Sequence, residues 1–322
     1  MEKQDFPLIS VVVLNYNGLK YLKKTIPNLL NLDYPNYEII LIDNASIDSS
    51  VEYIQGFKKI KLFINKKNLG YSFGKNIGAE KAKGKYILML DDDILITDEK
   101  FLKKISLYKN KKQIISPIIV DKNDTATNYL GGYFNLFGRR NTKKVSLNKI
   151  KKNNKEFPAS YYNGGAFFIK KTDWRYLGGF DVNQPFNLDD TDLGTRAWIM
   201  GLTVVISPKL LVTHLGAGKR ESNKDWCWKY RYYFSGYGRM IIKNYNETNL
   251  FKGLMLFYIH CLLKTIKQTI CRRSVRVIYA FIYSNFLFFK NFSNSFKKRA
   301  FVQSKRTIKD DIFLKIKPPE FA

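Results

Sequence analysis

Three consecutive carboxylates, Asp91, Asp92 and Asp93, close the apolar run of the stretch KYILMLDDDILI (85–96). Two like charges about 4 Å apart repel by roughly 4 kcal/mol at an effective dielectric near 20. A chain keeps such a triplet where a cation faces it, or where water simply solvates it. A second acidic group, Asp189, Asp190 and Asp192, opens a helical segment that runs through Trp198. Acids in a first helical turn are favoured by the helix dipole, by about 0.3–1 kcal/mol each. Three in four residues exceed what capping needs. Asp192 lies four residues before Arg196 and reads as a structural pair, which leaves Asp190 for chemistry. His214 is one of two histidines. A lone histidine is ordinarily structural, but an imidazole brought to an aspartate cluster completes a carboxylate metal site.

The elements that would position these groups alternate. Continuous β-branched runs at 8–15, 37–43, 60–65, 85–90 and 113–120 are separated by helical segments at about 19–31, 48–56, 72–83 and 98–109. Asp48 and Asp98 read as first-turn acids or caps. Unbroken apolar strands separated by helices imply a mostly parallel sheet covered on both faces. Ligands bind such sheets outside the carboxyl ends of the strands. The polar clusters Asn15-Tyr-Asn-Gly18, Asp43-Asn-Ala-Ser46 and Asp91-Asp-Asp93 all fall at those ends, so one crevice should collect them. No G-x-G-x-x-G follows the first strand, and no G-x-x-x-x-G-K-[ST] occurs. The pattern speaks against a dinucleotide enzyme and a P-loop enzyme.

Residues 121–160 are polar and Lys/Asn-rich, and read as loop with one hairpin. Order returns with a strand over 160–171, entered through Gly164 and Gly165, where the backbone approaches a ligand or forms a bulge. A further strand spans 202–207. The 322 residues suffice for one large domain with an appendage. Three cysteines form no ligand pattern and suggest a reducing compartment. MEKQDFPLIS lacks an apolar core, so no secretory leader is expected. The net charge of +28 predicts acidic partners such as phosphate-rich substrates, anionic lipid or nucleic acid, or else reflects solvated lysines alone.

In order and spacing, ISVVVLNYNG, YEIILIDNASIDSS, NLGYSFGKNIGAEKAKGKYILMLDDD, NGGAFFIKK and LGGFD…LDDTDLGTRAWIMG resemble the family 2 glycosyltransferases of GT-A fold, in their rhamnosyltransferase-like branch. The resemblance runs from about 8 to 218. It implies an α/β, Rossmann-like catalytic domain at 1–225, inverting transfer of a sugar from a nucleotide diphosphate to a hydroxyl, and a Mg²⁺ or Mn²⁺ cofactor. Asp91 and Asp93 would bracket the ribose and the cation, with Asp92 able to replace either. His214 would approach the metal. Asp43 and Asn44 match a base-contacting segment, Asn68, Gly70 and Asn76 a loop flanking the nucleotide, and Asp190 the general base. Asn15, Gly164 and Gly165 would join the nucleotide-sugar site. The family often has Glu-Asp where this chain has Asp189-Asp190.

Beyond 225 the chain reads as a basic, aromatic-rich helical tail, 226–322. From 251 onward it carries 15 Lys and Arg against 3 Asp and Glu. The apolar stretches 253–263 and 277–289 fall short of the roughly 18 residues a spanning helix needs. The tail either packs on the catalytic domain or attaches to an anionic membrane surface on the cytoplasmic face, where a glycan or lipid-linked acceptor would be met. Nucleic acid is not an expected partner. A sugar-phosphate nucleotidyltransferase, or a non-catalytic membrane- or nucleic-acid-binding protein, are the alternatives.

Overall fold

The computed structural model describes residues 6–121, 126–129, 131–136, 138–140, 145–152, 154–184, 188–216 and 222–319. The β-branched runs form strands β1 (Ile9–Asn15), β2 (Tyr37–Asp43), β3 (Ile60–Ile64), β4 (Tyr86–Asp91) and β6 (Gln113–Val120), with a two-residue β5 (Ile94–Leu95) after the acidic triplet. Between them lie α1 (Leu19–Leu30), α2 (Ser50–Gln55), α3 (Tyr71–Lys81) and α4 (Phe101–Ser106). Asp48 accepts from the Leu19 N–H at 3.0 Å, and so caps α1 from a distance in sequence. The part of 121–160 that is described holds short strands and one short helix, Leu147–Lys152.

Strands β3, β2, β1 and β4 are parallel neighbours. The second half departs from the parallel expectation. Strand β7 (Ala166–Lys170) enters from a turn at Gly164 and Gly165, without a helical crossover, and runs antiparallel to β4. The expected strand over 160–171 is thus shorter, and its glycines precede it. Strand β8 (Thr203–His214) extends well past the expected 207, lies parallel to β6, and turns back to pair antiparallel with β5.

Alternate strand residues face opposite layers, as a period of two requires. Val11, Val13, Ile39 and Leu41 pack with Leu22, Ile26 and Phe101 on one face. Val12, Leu14, Ile40 and Ile42 pack on the other with α3, with α5 (Lys171–Leu177) and with α6 (Asp189–Ile199). That second layer continues without a break into the tail helices α7 (Asn223–Tyr230), α8 (Tyr233–Asn244), α9 (Glu247–Arg272), α10 (Arg276–Lys290) and α11 (Phe292–Ser304). A capping box between Ser222 and Asp225 starts α7.

The tail is tied to the sheet domain by buried charge. Lys243 on α8 bridges Asp181 at 2.7 Å and Asp192 at 2.8 Å. Arg239 also holds Asp181 at 2.8 Å, and Arg196 holds Asp192 at 2.7 Å. The Asp192–Arg196 pair is the one the spacing implies. Burial alone would raise both carboxyls. Lys243 ahead of Arg239 pulls Asp181 below the usual range, and Lys243 ahead of Arg196 does the same for Asp192. Ser160 donates to the Phe313 carbonyl at 2.7 Å, so the end of the chain is anchored as well.

Removing one member of a buried ion network costs about 3–5 kcal/mol. Lys243→Met is therefore expected to lose stability on that scale in urea unfolding at neutral pH. Carboxyls held below their unfolded value of about 3.9 stabilise the fold above that pH, and the contribution fades as pH falls through the lower folded values. The deficit of Lys243→Met relative to wild type should accordingly shrink below about pH 4.

Candidate active site

The carboxyl ends of β1, β2 and β4 open on a cavity of about 720 Å³. Its wall includes Asn44, Asn68, Gly70, Tyr71, Asp91, Asp92, Asp93, Asp189 and His214. Strand pairing explains how distant residues meet there. β8 sets His214 opposite Ile94, one residue from Asp93. The Leu215 N–H then donates to the Asp93 carbonyl at 2.9 Å. His214 Nε2 lies 2.9 Å from Asp93 Oδ2. That contact, outweighing burial, which would lower it, raises the imidazole pKa above its ordinary value.

Asp91 is answered by a different cation. Lys75 on α3 is fully buried and lies 2.9 Å from Asp91 Oδ1. Its ammonium also donates to the Leu90 carbonyl. Burial still raises the Asp91 pKa, with Lys75 opposing it. Asp92 is pushed up to about 7 by burial and then by Asp93 and Asp91. The chain at Gly18 passes so close that an added Cβ would stand 1.9 Å from an Asp92 oxygen, which is why β1 must lead into a glycine.

A two-residue turn joins the two acidic groups. The Gly164 N–H donates to Asp190 Oδ2 at 3.3 Å, and the Asp91 N–H donates to the Gly165 carbonyl at 2.9 Å. Tyr71 donates to the Gly164 carbonyl at 2.6 Å. Asp190 also accepts from the Thr191 N–H at 2.6 Å. Its neighbour Asp189 is buried, lines the cavity, and is pushed well above the usual carboxylate range by burial, then by Asp190 and by Asp91.

The family comparison agrees with this edge. The Glycosyl transferase family 2 model matches residues 10–177. This chain belongs to the family 2 glycosyltransferases. An uncharacterized glycosyltransferase of Haemophilus influenzae is 42% identical over 106 residues, covering 32% of this chain and 42% of that protein. The chain thus spans less than half the length of that relative. The Campylobacter jejuni GalNAc(5)-diNAcBac-PP-undecaprenol beta-1,3-glucosyltransferase is 25% identical over 289 residues, covering 78% of this chain and 89% of that protein. S. aureus TarS in complex with UDP-GlcNAc superposes with a TM-score of 0.58 at 14% identity, covering 95% of this chain and 90% of that one. The mannosyltransferase PcManGT of Pyrobaculum calidifontis, in complex with GDP-Man and Mn²⁺, gives 0.55 at 14% identity, over 94% and 86%. These two likenesses show a shared GT-A fold.

Within this family 2 glycosyltransferase the side chains expected at the site divide. Asn44, Asn68, Gly70, Asp91, Asp92, Asp93 and His214 line the cavity. Asn44 is held by Asn65 at 2.8 Å and donates to the Gly70 carbonyl at 3.1 Å. Gly70 sits at φ +82°, a conformation glycine adopts freely, and leads into α3. Asp43 is fully buried instead of facing the cavity, accepting from Ser46 and, at 2.7 Å, from Asn15. Asn15 and Asp43 therefore brace the loop that carries Asn44. Asn76 is engaged elsewhere: both ends of its amide bond the Phe180 backbone at 2.9 Å, and it is not among the residues of the cavity wall. Gly164 and Gly165 work through backbone groups.

The expected metal set of Asp91, Asp93 and His214 is not a closed cage, because Asp91 is spent on Lys75. Among the described residues no three His, Cys, Asp or Glu side chains could enclose a cation. The pair Asp93 and His214 fits a cation of another kind. Mg²⁺ and similar hard ions are held by one or two carboxylates, with substrate phosphates and water completing the shell, and Asp93 supplies one.

Sequence reasoning missed Lys75, Gln184, Trp228 and Tyr232, all but the first in the cavity wall, where Asp189 of the second acidic group also lies. Lys75 left a signal. The buried stripe of α3 reads Ser72, Gly74, Lys75, Gly78, Ala79, and one lysine among small residues has to meet a buried carboxylate. Trp228 and Tyr232 left none, since they lie beyond the matched segments.

Lys75→Met should lower stability in chemical denaturation, by up to about 3 kcal/mol, because the partly buried Asp91 would lose its cation. The doubly altered Lys75→Met, Asp91→Leu chain is expected to recover most of that loss.

Proposed function

We propose that this enzyme transfers a sugar from a nucleotide diphosphate donor to a hydroxyl of a glycan or lipid-linked acceptor, with inversion and with a divalent cation. One observation carries the reading: the turn at Gly164 and Gly165 holds Asp190 on one side and the Asp91 backbone on the other. Asp190 is not itself in the cavity wall, but the turn ties it to the backbone of Asp91, which is.

The Asn44 loop and Asn68 offer polar groups to the nucleoside, beside Gly70 at the start of α3. Asp93 and His214 would hold Mg²⁺ or Mn²⁺. The cation, when bound, supplies Lewis-acid stabilisation of the leaving diphosphate. Lys75 keeps the Asp91 end of the edge from accumulating uncompensated charge. Asp190 takes the proton of the acceptor hydroxyl as its oxygen bonds the anomeric carbon and the carbon–phosphate-oxygen bond breaks. Attack from the face opposite the leaving group inverts that carbon. Asp189 is the poorer candidate, because burial and the neighbouring charges of Asp190 and Asp91 disfavour its ionised form. Trp228 and Tyr232, with ring centroids 5.5 Å apart, give the tail side of the cavity ring faces suited to the apolar faces of a sugar.

Asp190→Asn preserves size and hydrogen bonding but cannot accept a proton, and loss of a general base costs about 10²–10⁴ in rate. Nucleoside diphosphate release should fall by that factor with whichever UDP-, GDP- or dTDP-sugar supports turnover, while the donor KM holds. Asp189→Asn is expected to cost less than about tenfold. A reversed order would assign the base to Asp189.

A further inference from the structure

From Thr248 to Lys309 the chain has no Asp or Glu and 13 Lys and Arg. Helix α10, and α9 apart from its first residue Glu247, fall in this segment and pack against each other. The inner stripe of α10, Val277, Ala280, Phe281, Ser284 and Phe288, is buried against the core. Its outer face is apolar as well: Tyr279 is 70% exposed, Ile282 58%, Phe286 57% and Phe289 68%. The outer face of α9 repeats the pattern, with Leu263 62% and Ile270 70% exposed. A helix apolar on every side belongs in a protein interior or in lipid. Of the large hydrophobic side chains exposed among the described residues, 18 of 26 lie at or beyond Phe251, so the exposed apolarity is concentrated in the tail helices.

Neither helix crosses a bilayer. Among the described residues no helix is long and apolar enough. The 15 residues of α10 reach only about 22 Å, against a hydrocarbon core of about 30 Å. An apolar face edged with cations suits a helix lying in the plane of the membrane interface. Lys252, Lys267, Arg273, Arg276 and Lys290 are exposed on the same two helices and the turn between them. The charge also selects the occupant. A second copy seated face to face would bring two cationic rims together, whereas anionic headgroups neutralise one.

We propose that the α9–α10 hairpin is a docking face for an anionic lipid bilayer, with the outer side chains of both helices inserted at the headgroup level. The hairpin is joined to the catalytic cavity through α7. Trp228 lines the cavity, while two residues earlier Trp226 stacks under the Arg272 guanidinium at 4.3 Å, and Arg231 lies 5.7 Å over the Tyr283 ring. A docked bilayer would therefore lie beside the wall that carries Trp228. The proposal stands apart from the transfer chemistry, since binding is read without turnover.

The test is flotation of the full-length protein with vesicles of phosphatidylcholine alone or mixed with phosphatidylglycerol, at low and high salt. Each cation near an anionic surface strengthens binding roughly fivefold, so the mixed vesicles should bind at least about tenfold better. High salt should weaken that binding without abolishing it, because the inserted apolar groups remain. Ile282→Asp with Phe286→Asp should lose at least about tenfold in vesicle affinity. Leu107→Asp, an exposed position on another part of the surface, should bind as wild type. Circular dichroism confirms the fold of each variant. Equal binding by the double variant, or no preference for anionic vesicles, would overturn the proposal. So would a concentration-dependent dimer that the double variant abolishes while vesicles fail to bind, which would make the occupant a second copy. A membrane fraction resistant to alkaline carbonate would overturn in-plane docking in favour of spanning insertion.

Discussion

Negative charge crowded onto one sheet edge is the constraint that organises this molecule. Asp91, Asp92, Asp93 and Asp189 line one cavity, with Asp190 directly behind. Such a cluster is unfavourable unless cations are built in or bound. The chain builds in one, Lys75 under Asp91, and places His214 against Asp93. The remaining carboxyls are left raised by burial and mutual repulsion, as Asp92 and Asp189 show. An edge that is electrostatically incomplete in this way suits a cation, and the divalent cation proposed to bind with a diphosphate would supply one.

Holding that edge in place is a problem of anchoring, and the tail solves it. The segment from Asp181 to α6 carries Asp189 and Asp190, and α8 clamps it from behind through Arg239 and Lys243. Asn244 adds a bond to Asp192 at 3.1 Å. Gln184, in the cavity wall, donates to the Gly236 carbonyl at 2.9 Å. The helices beyond 225 thus share one core with the sheet while their outer faces stay apolar. A single appendage steadies α6 and presents a surface of its own.

Much of this was legible in the residues. The parallel strands and the acidic carboxyl edge follow from β-branched runs ending in Asn15, Asp43 and Asp91, because strand period and turn chemistry are local properties. His214 meeting Asp93 was legible as a juxtaposition, though only the β5–β8 pairing explains it. What escaped depends on long-range partners. Asp43 turned out to brace Ser46 and Asn15, and Asn76 to hold Phe180, since a motif records residue types and not the direction of a side chain. Lys75 was passed over because its carboxylate lies 16 positions later in the sequence, across a helix-to-strand connection. The antiparallel entry of β7 was hidden because an apolar run reads the same in either direction. The packing of the tail was unreadable for a further reason: α9 and α10 are apolar on both faces, so their pattern does not say which face is inside.

The central claim is that a nucleoside diphosphate and a divalent cation complete this edge together. Asp93 and His214 alone offer too few ligands for tight binding of Mg²⁺ or Mn²⁺. By linkage, a nucleotide that strengthens cation binding is itself bound more tightly by the same factor when the cation is present. Calorimetric titration of UDP, GDP and dTDP into the full-length protein, with Mn²⁺ and then with EDTA, measures that factor. The account predicts that one nucleotide binds at least about tenfold more tightly with Mn²⁺, and that Asp93→Ala removes the difference. Nucleotide affinity that is the same in Mn²⁺ and in EDTA would contradict it.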